Sequence, residues 1–205
     1  LAHRGKARLV VISGEAGVGK TTLVEAFVAE LEERGQPVRV GRGRCSERLA
    51  GTEAYLPVLE ALESLQRHEQ LGSLTRLIRA LAPSWYAQLM PPTANDSSAA
   101  RLAAETAGGS QERLKREIAS LLEEAGRLQP IVLWFDDVQW ADPSTTDLLG
   151  YLARRLDNTR LLVIVTARPS ELRQSRHQFL SLKLDLLAHG FCREIEPSSL
   201  SEGAI

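Results

Sequence analysis

The chain has 205 residues, 43% of them hydrophobic, which suits a single domain with a sizeable core. Its formal net charge is -1, from 25 Lys and Arg against 26 Asp and Glu, so it carries no global electrostatic signature for nucleic acid. Two distant cysteines without a C-x-x-C argue against metal or redox use, no apolar run approaches a membrane span, and the first residues lack the apolar core of a signal peptide.

Leu9-Val10-Val11-Ile12 is short, apolar and β-branched, and reads as a buried strand. It leads into Gly14-Glu15-Ala16-Gly17-Val18-Gly19-Lys20-Thr21, a match to G-x-x-x-x-G-K-[ST], the Walker A loop. A helix follows, with Leu23, Phe27 and Leu31 expected on its buried face and Gly35 as its stop. The glycines let the backbone curve close to phosphate oxygens, and the helix N-terminus attracts anions. Lys20 supplies a point charge for the β- and γ-phosphates, Thr21 a hydroxyl for Mg²⁺, and Thr22 a hydroxyl near the α-phosphate. Gly14, Glu15, Ala16, Gly17, Val18, Gly19, Lys20, Thr21 and Thr22 are therefore the expected nucleotide-binding run. Only four lysines occur in the chain, and one stands here.

Val38–Cys45 alternates and reads as an edge strand half exposed to water. Residues 53–68 and 71–81 are expected to be helices, with Pro57 tolerable only in a first turn. Residues 83–110, rich in Pro, Gly, Ser and Asn, read as a long variable insertion, mobile or loosely helical near 99–107. Trp85 and Tyr86 are expected to anchor it to the body.

Residues 111–128 form a helix striped with Leu114, Ile118, Leu121, Leu122 and Ala125. Ile131–Phe135 is a fully buried strand ending in Asp136-Asp137. Carboxylates at the C-terminal end of a buried parallel strand face the crevice where ligands of open α/β sheets sit. This fits Walker B: Asp136 holds Mg²⁺ and Asp137 orients the attacking water. Asp142 is placed to cap a helix that opens at Pro143 and carries Leu148, Leu149, Leu152 and Leu156. Leu161–Val165 is another buried strand, leading to Thr166-Ala167-Arg168-Pro169. Arg168 there either senses the γ-phosphate or pairs with Asp137, Asp142 or another acid. Residues 172–187 mix polar and leucine-rich pieces, and Cys192–Ile195 is a last short strand. Strands alternating with helices mean a parallel α/β sheet.

Gly14–Thr22, then Leu133-Trp134-Phe135-Asp136-Asp137-Val138-Gln139-Trp140-Ala141-Asp142-Pro143-Ser144, then Val163–Pro169, resemble in that order an AAA-type ATPase module. More narrowly they resemble the signal-transduction ATPases with numerous domains, the STAND class, found in large bacterial regulators with LuxR-type DNA-binding, cyclase or kinase regions. The resemblance implies a P-loop NTPase three-layer sandwich. Its parallel five-stranded sheet has the order 5-1-4-3-2, with helices on both faces. It implies residues 1–200 as the ATPase core and 201–205 as the start of a truncated C-terminal lid. His3-Arg4-Gly5 stands where the family has an adenine-binding Gly-Arg segment, without matching it. In that strand order Cys45 and Cys192 lie on opposite edges, four steps of about 4.8 Å apart, so both are expected to be free thiols, with Cys45 partly accessible.

The expected function is an ATP-binding, slowly hydrolysing switch of a larger signal-transduction or transcription regulator, using ATP/ADP and Mg²⁺. Asp137, Lys20 and Arg168 are its expected catalytic residues, and Thr21 and Asp136 its metal ligands. Asp137 is one methylene shorter than the Glu that can stand at this place, which suits slow hydrolysis. Expected partners are the nucleotide and downstream regulatory domains of the same polypeptide, with room for ATP-dependent self-association. No membrane and no direct nucleic-acid contact are expected, and the cytoplasm is the expected compartment. The alternatives are a DNA-associated AAA+ ATPase, a small-molecule kinase and a nucleotide-binding module without hydrolysis.

Overall fold

A computed structural model of the protein describes residues 8–35, 37–49, 53–67, 72–90, 110–155 and 159–197. In it, strands β1 (Arg8–Ser13), β2 (Arg39–Arg44), β3 (Ile131–Asp136), β4 (Leu161–Ala167) and β5 (Cys192–Ile195) form one five-stranded sheet in the order β2-β3-β4-β1-β5. Every pairing is parallel. Read from the other edge this is 5-1-4-3-2, as the resemblance implied. The connecting helices are α1 (Lys20–Glu33), α2 (Leu56–Arg67), α3 (Ser73–Leu81), α4 (Pro83–Leu89), α5 (Gln111–Leu128), α6 (Pro143–Arg155), α7 (Pro169–Gln174) and α8 (Gln178–Ala188).

The faces of the sheet are covered unequally among the described residues. Side chains alternate across a strand. Leu133 and Phe135 of β3 therefore join Leu9, Val11, Val163 and Val165 in the larger core, with helices α2 through α8. Val132 and Trp134 face the other way, with Ile12 and Ile164, against α1. On α1 the residue buried deepest is Val24, backed by Phe27, Val28 and Leu31. Leu23, expected in the stripe, is 42% exposed. The apolar spacing of four from Leu23 drifts off the contact line within one turn, because an α-helix repeats every 3.6 residues. Gly35 follows α1 with φ 61°, the left-handed stop its position suggested.

The edge strand β2 has glycines inside and arginines outside. Gly41 and Gly43 are buried, while Arg42 and Arg44 are exposed. Helix α2 lies directly on the glycines. A Cβ at Gly41 would stand 2.7 Å from the Ala61 carbonyl oxygen, and one at Gly43 would penetrate the Pro57 carbonyl. Cys45 shares the parity of the two glycines and is buried, not partly accessible as the alternation suggested. The water-facing series is the arginines. Cys192 on the opposite edge is also buried, and the two thiols are free. Burial pushes both thiols up, Cys192 to about 11.

Pro83–Leu89, the first part of the stretch read as an insertion, is helix α4. Trp85 is fully buried, donates its indole N–H to the Leu114 carbonyl at 2.9 Å, and packs edge-to-face on Tyr55 with centroids 5.2 Å apart. The anchoring expected of Trp85 is present; the remainder of the stretch, 91–109, lies outside the described residues, as do Leu156, 1–7 and 201–205. Asp142 caps α6 as expected, its Oδ1 accepting from the Thr145 N–H at 2.9 Å, and its Oδ2 accepts from the Tyr55 N–H at 3.2 Å. Residues 172–187, for which the sequence offered no single element, fall in α7 and α8 around a turn at Ser175–Arg176, with His177 as the N-cap of α8. The His177 Nδ1 accepts from the Phe179 N–H at 3.2 Å and its Nε2–H donates to the Ala141 carbonyl at 2.9 Å. No described helix is long and apolar enough to cross a membrane.

The contact of α2 with the glycine face gives a direct test. Gly43→Ala is expected to destabilise the fold by about 3 kcal/mol, because the new methyl meets backbone that cannot yield. The midpoint of urea unfolding measures it; an unchanged midpoint would mean that α2 does not lie on β2 in this way.

Candidate functional site: the loop, the acids and the strand ends

The parallel sheet delivers three strand ends to one edge. The Gly14 N–H donates to the Ala167 carbonyl at 3.1 Å, tying the start of the loop to the end of β4. Gly17 and Gly19 adopt φ 82° and 89°, where a Cβ is strained. Gly19 is the N-cap of α1 and contributes no side-chain cap, and the first turn of the helix holds no acid. Its backbone N–H groups are thus left for an anion to pair with. Lys20 is buried and donates to the Glu15 carbonyl at 2.9 Å. Burial lowers its pKa, against the opposing pull of Asp137 and Asp136. Thr22 points to solvent.

The Glu15 carboxylate crosses to the start of α7, accepting from the Ser170 N–H at 3.1 Å and its hydroxyl at 2.5 Å. The hydroxyl bond is the main cause of the lowered Glu15 pKa. The floor of the loop is tied down as well. The Ser13 hydroxyl and the Lys183 ammonium both donate to Glu194 of β5, the latter at 2.6 Å.

Asp136 and Asp137 part company at once. Asp136 is buried, and its two oxygens have different neighbours. Oδ1 accepts from the Thr166 hydroxyl at 2.5 Å. Oδ2 lies 3.4 Å from the Thr21 hydroxyl and 3.6 Å from Arg42 Nη2. Asp137 takes left-handed backbone angles, φ 58° and ψ 52°, unusual for a non-glycine residue. That twist turns its N–H onto the Thr166 oxygen at 2.8 Å. Its carboxylate accepts from Gln139 Nε2 at 3.0 Å and meets Arg168 Nη2 at 3.4 Å. The Gln139 side-chain carbonyl in turn accepts from the Arg168 N–H at 3.1 Å. Arg168 makes its closer ion pair, 2.8 Å, with Glu171, and this bond chiefly raises its pKa. Beyond Asp137 and Arg168 opens a cleft of about 730 Å³, walled by Arg44, Cys45, Arg48 and Trp140 among others.

The profile of the family described as AAA ATPase domain matches residues 2–164, which include both the loop and the acid pair. The chain belongs to the AAA ATPase domain family. One curated relative, an uncharacterized protein of Rhizobium meliloti (strain 1021), is 38% identical over 60 residues. The aligned part is 29% of this chain and 6% of that protein.

In this AAA domain, Lys20, Thr21, Asp136, Asp137 and Arg168 gather at one end of the sheet. The sequence reading missed Thr166, Gln139 and Arg42. Thr166 had a signal: it is the one hydroxyl in an otherwise apolar strand, and a buried hydroxyl in such a place has a partner. Arg42 had none, since its partners come from other elements; Gln139 bonds Asp137 two residues back, but its second partner, the Arg168 N–H, comes from the end of β4.

Thr166→Val keeps the shape of the side chain and removes its hydroxyl, which both donates to Asp136 and accepts from Asp137. We expect a loss of about 1–3 kcal/mol in denaturant unfolding, the range for leaving buried polar groups unpaired. Wild-type stability in this variant would show that the hydroxyl bridge does not hold the acid pair.

Proposed function

We propose that this AAA domain binds ATP with Mg²⁺ on the run Gly14–Thr22 and hydrolyses it slowly, as a nucleotide-controlled switch within a longer signalling or transcription-regulating polypeptide of the STAND type. The observation that carries the reading is the convergence of Lys20, Thr21 and the Asp136-Asp137-Arg168 group on the edge where the glycine loop leaves β1.

The donor chemistry fits the metal. Asp136 Oδ2 and the Thr21 hydroxyl are 3.4 Å apart. They form a hard, oxygen-only pair of the kind Mg²⁺ uses beside phosphate oxygens and water. Thr21 and Asp136 would hold the ion, which when bound would offset negative charge on the leaving group. The chain's own groups do the rest. Lys20 exchanges the Glu15 carbonyl for phosphate oxygens. Asp137, held between Gln139 and Arg168, orients a water and takes up its proton. Arg168 turns from Asp137 toward the γ-phosphate as charge moves there.

Two features support slow turnover. Asp137 is shorter than a Glu at the same place, and both it and Arg168 are engaged with each other before any ligand arrives. The same ion pair favours a second reading, a binding module that does not hydrolyse. The matched relative supports a modular context: 60 residues that are 6% of its length make it several times longer than this chain.

Lys20→Ala is expected to weaken binding of a labelled ATP analogue by about 10- to 100-fold while leaving the fold intact, the scale of one charge-assisted bond set. Unchanged affinity would sink the site. Arg168→Ala is expected to slow phosphate release at least about tenfold while changing ATP affinity less than about threefold, because its charge matters most as the γ-phosphate leaves. Equal losses in both would reassign Arg168 to ground-state binding. No phosphate release by the unsubstituted chain with Mg²⁺ would favour the second reading.

A further inference from the structure

Arg42 belongs to no nucleotide motif, yet its guanidinium reaches the oxygen of Asp136 that faces Thr21. The sheet register puts it there. Arg42 pairs with Trp134 across the β2–β3 ladder. Trp134 and Asp136, two residues apart, lie on one face of β3. The Arg42 guanidinium stands over the Trp134 ring, 4.0 Å from its centroid, and leans forward to place Nη2 3.6 Å from Asp136 Oδ2. Its Nη1 lies 3.4 Å from Glu25 Oε1. Glu25 stands one turn beyond Thr21 on α1, an (i, i+4) neighbour. Thr21 itself addresses the same Asp136 Oδ2 from 3.4 Å. Oδ1 is already taken by Thr166. One carboxylate oxygen is therefore shared by a hydroxyl and a fixed cation.

We propose that Arg42 is a positioning residue that holds the place of the divalent cation at Asp136, and so sets how much free Mg²⁺ the nucleotide complex requires. The inference rests on the Mg²⁺–nucleotide reading of the site and adds a residue that tunes it. A dication arriving at Oδ2 must displace the guanidinium or sit against its charge, and either lowers metal affinity. Displacement is feasible because the side chain is 43% exposed and retains two holds, the Trp134 face and Glu25. Guanidinium, weakly hydrated and planar, suits a stacked resting place of this sort. Without ligand, Arg42 is the cation nearest a buried carboxylate whose hydrogen bonds, among the described residues, come from the hydroxyls of Thr21 and Thr166.

The test is binding of a fluorescent, non-hydrolysable ATP analogue, measured in excess chelator and across graded free Mg²⁺. It compares the unsubstituted chain with Arg42→Met, Arg42→Lys and Lys20→Ala. For Arg42→Met the Mg²⁺ concentration at half effect should fall roughly fivefold, the scale of removing one nearby, partly screened charge. Arg42→Lys should stay near the unsubstituted value, and affinity in chelator should be the same with Arg, Met or Lys at this position. A half-effect concentration unmoved in Arg42→Met overturns the proposal. So does a shift in Arg42→Lys as large as in Arg42→Met, which would make packing on Trp134 the cause. A loss of affinity in chelator for Arg42→Met also overturns it, since Arg42 would then be a phosphate ligand. If Lys20→Ala binds the analogue as well as the unsubstituted chain, the nucleotide reading itself fails, and Arg42 with it.

Discussion

All five strands run in the same direction, and the site depends on that constraint. In a parallel sheet every strand ends at the same edge, and the open crevice of a doubly wound fold lies there. β1 and β4 pair from Arg8↔Leu162 to Ser13↔Ala167, so the glycine loop and Arg168 leave the sheet side by side. β3 pairs with β4 up to Phe135↔Val165, which brings Asp136 level with Thr166. The hydroxyl of Thr166 then serves both acids. Groups more than a hundred residues apart in the chain meet because the ladders keep them in step.

The helices on the two faces serve different ends. On the larger face, α2 comes close to β2 because Gly41 and Gly43 remove the side chains that would hold it off. That approach places Glu60 to accept from the Arg44 N–H at 2.7 Å, while the Cys45 N–H donates to the Asp136 carbonyl at 2.9 Å. The edge strand is thus fastened beside Asp136. On the other face, α1 carries the Thr21 hydroxyl at its start, 3.4 Å from Asp136, and buries Val24 against the sheet. The first turn of α1 is positioned by packing rather than by a cap of its own.

The charged side chains at the site pair within the protein, though Arg168 Nε and Glu171 Oε2 are buried without a hydrogen-bond partner among the described residues. Lys20 bonds to a loop carbonyl, Glu15 to Ser170, Arg168 to Glu171 and Asp137, and Arg42 to Asp136 and Glu25. Buried and half-buried charges demand partners, and here the protein supplies them itself. A polyanion with its cation would exchange these internal bonds for bonds to ligand. Lys20 and Arg168 would change partner, which links the loop to the end of β4 through the same charges.

The amino-acid sequence by itself determined the strand–loop–helix around Gly14–Thr22, the acid pair at the end of β3, the cap at Asp142 and the alternation that makes a parallel sheet. Each is a local pattern: a glycine spacing, an apolar run, a capping residue before proline. The order of the strands was legible only through the resemblance the motifs carry. The tertiary structure decided what depends on distant partners. It chose Val24 over Leu23 for the buried side of α1. It put Cys45 inside by giving the inner parity of β2 to glycine. It joined Thr166 to both acids, bound Gln139 between Asp137 and Arg168, and set Arg42 over Trp134. None of these is visible along the chain, because at least one partner in each comes from another strand or helix and the choice between two faces is made by packing.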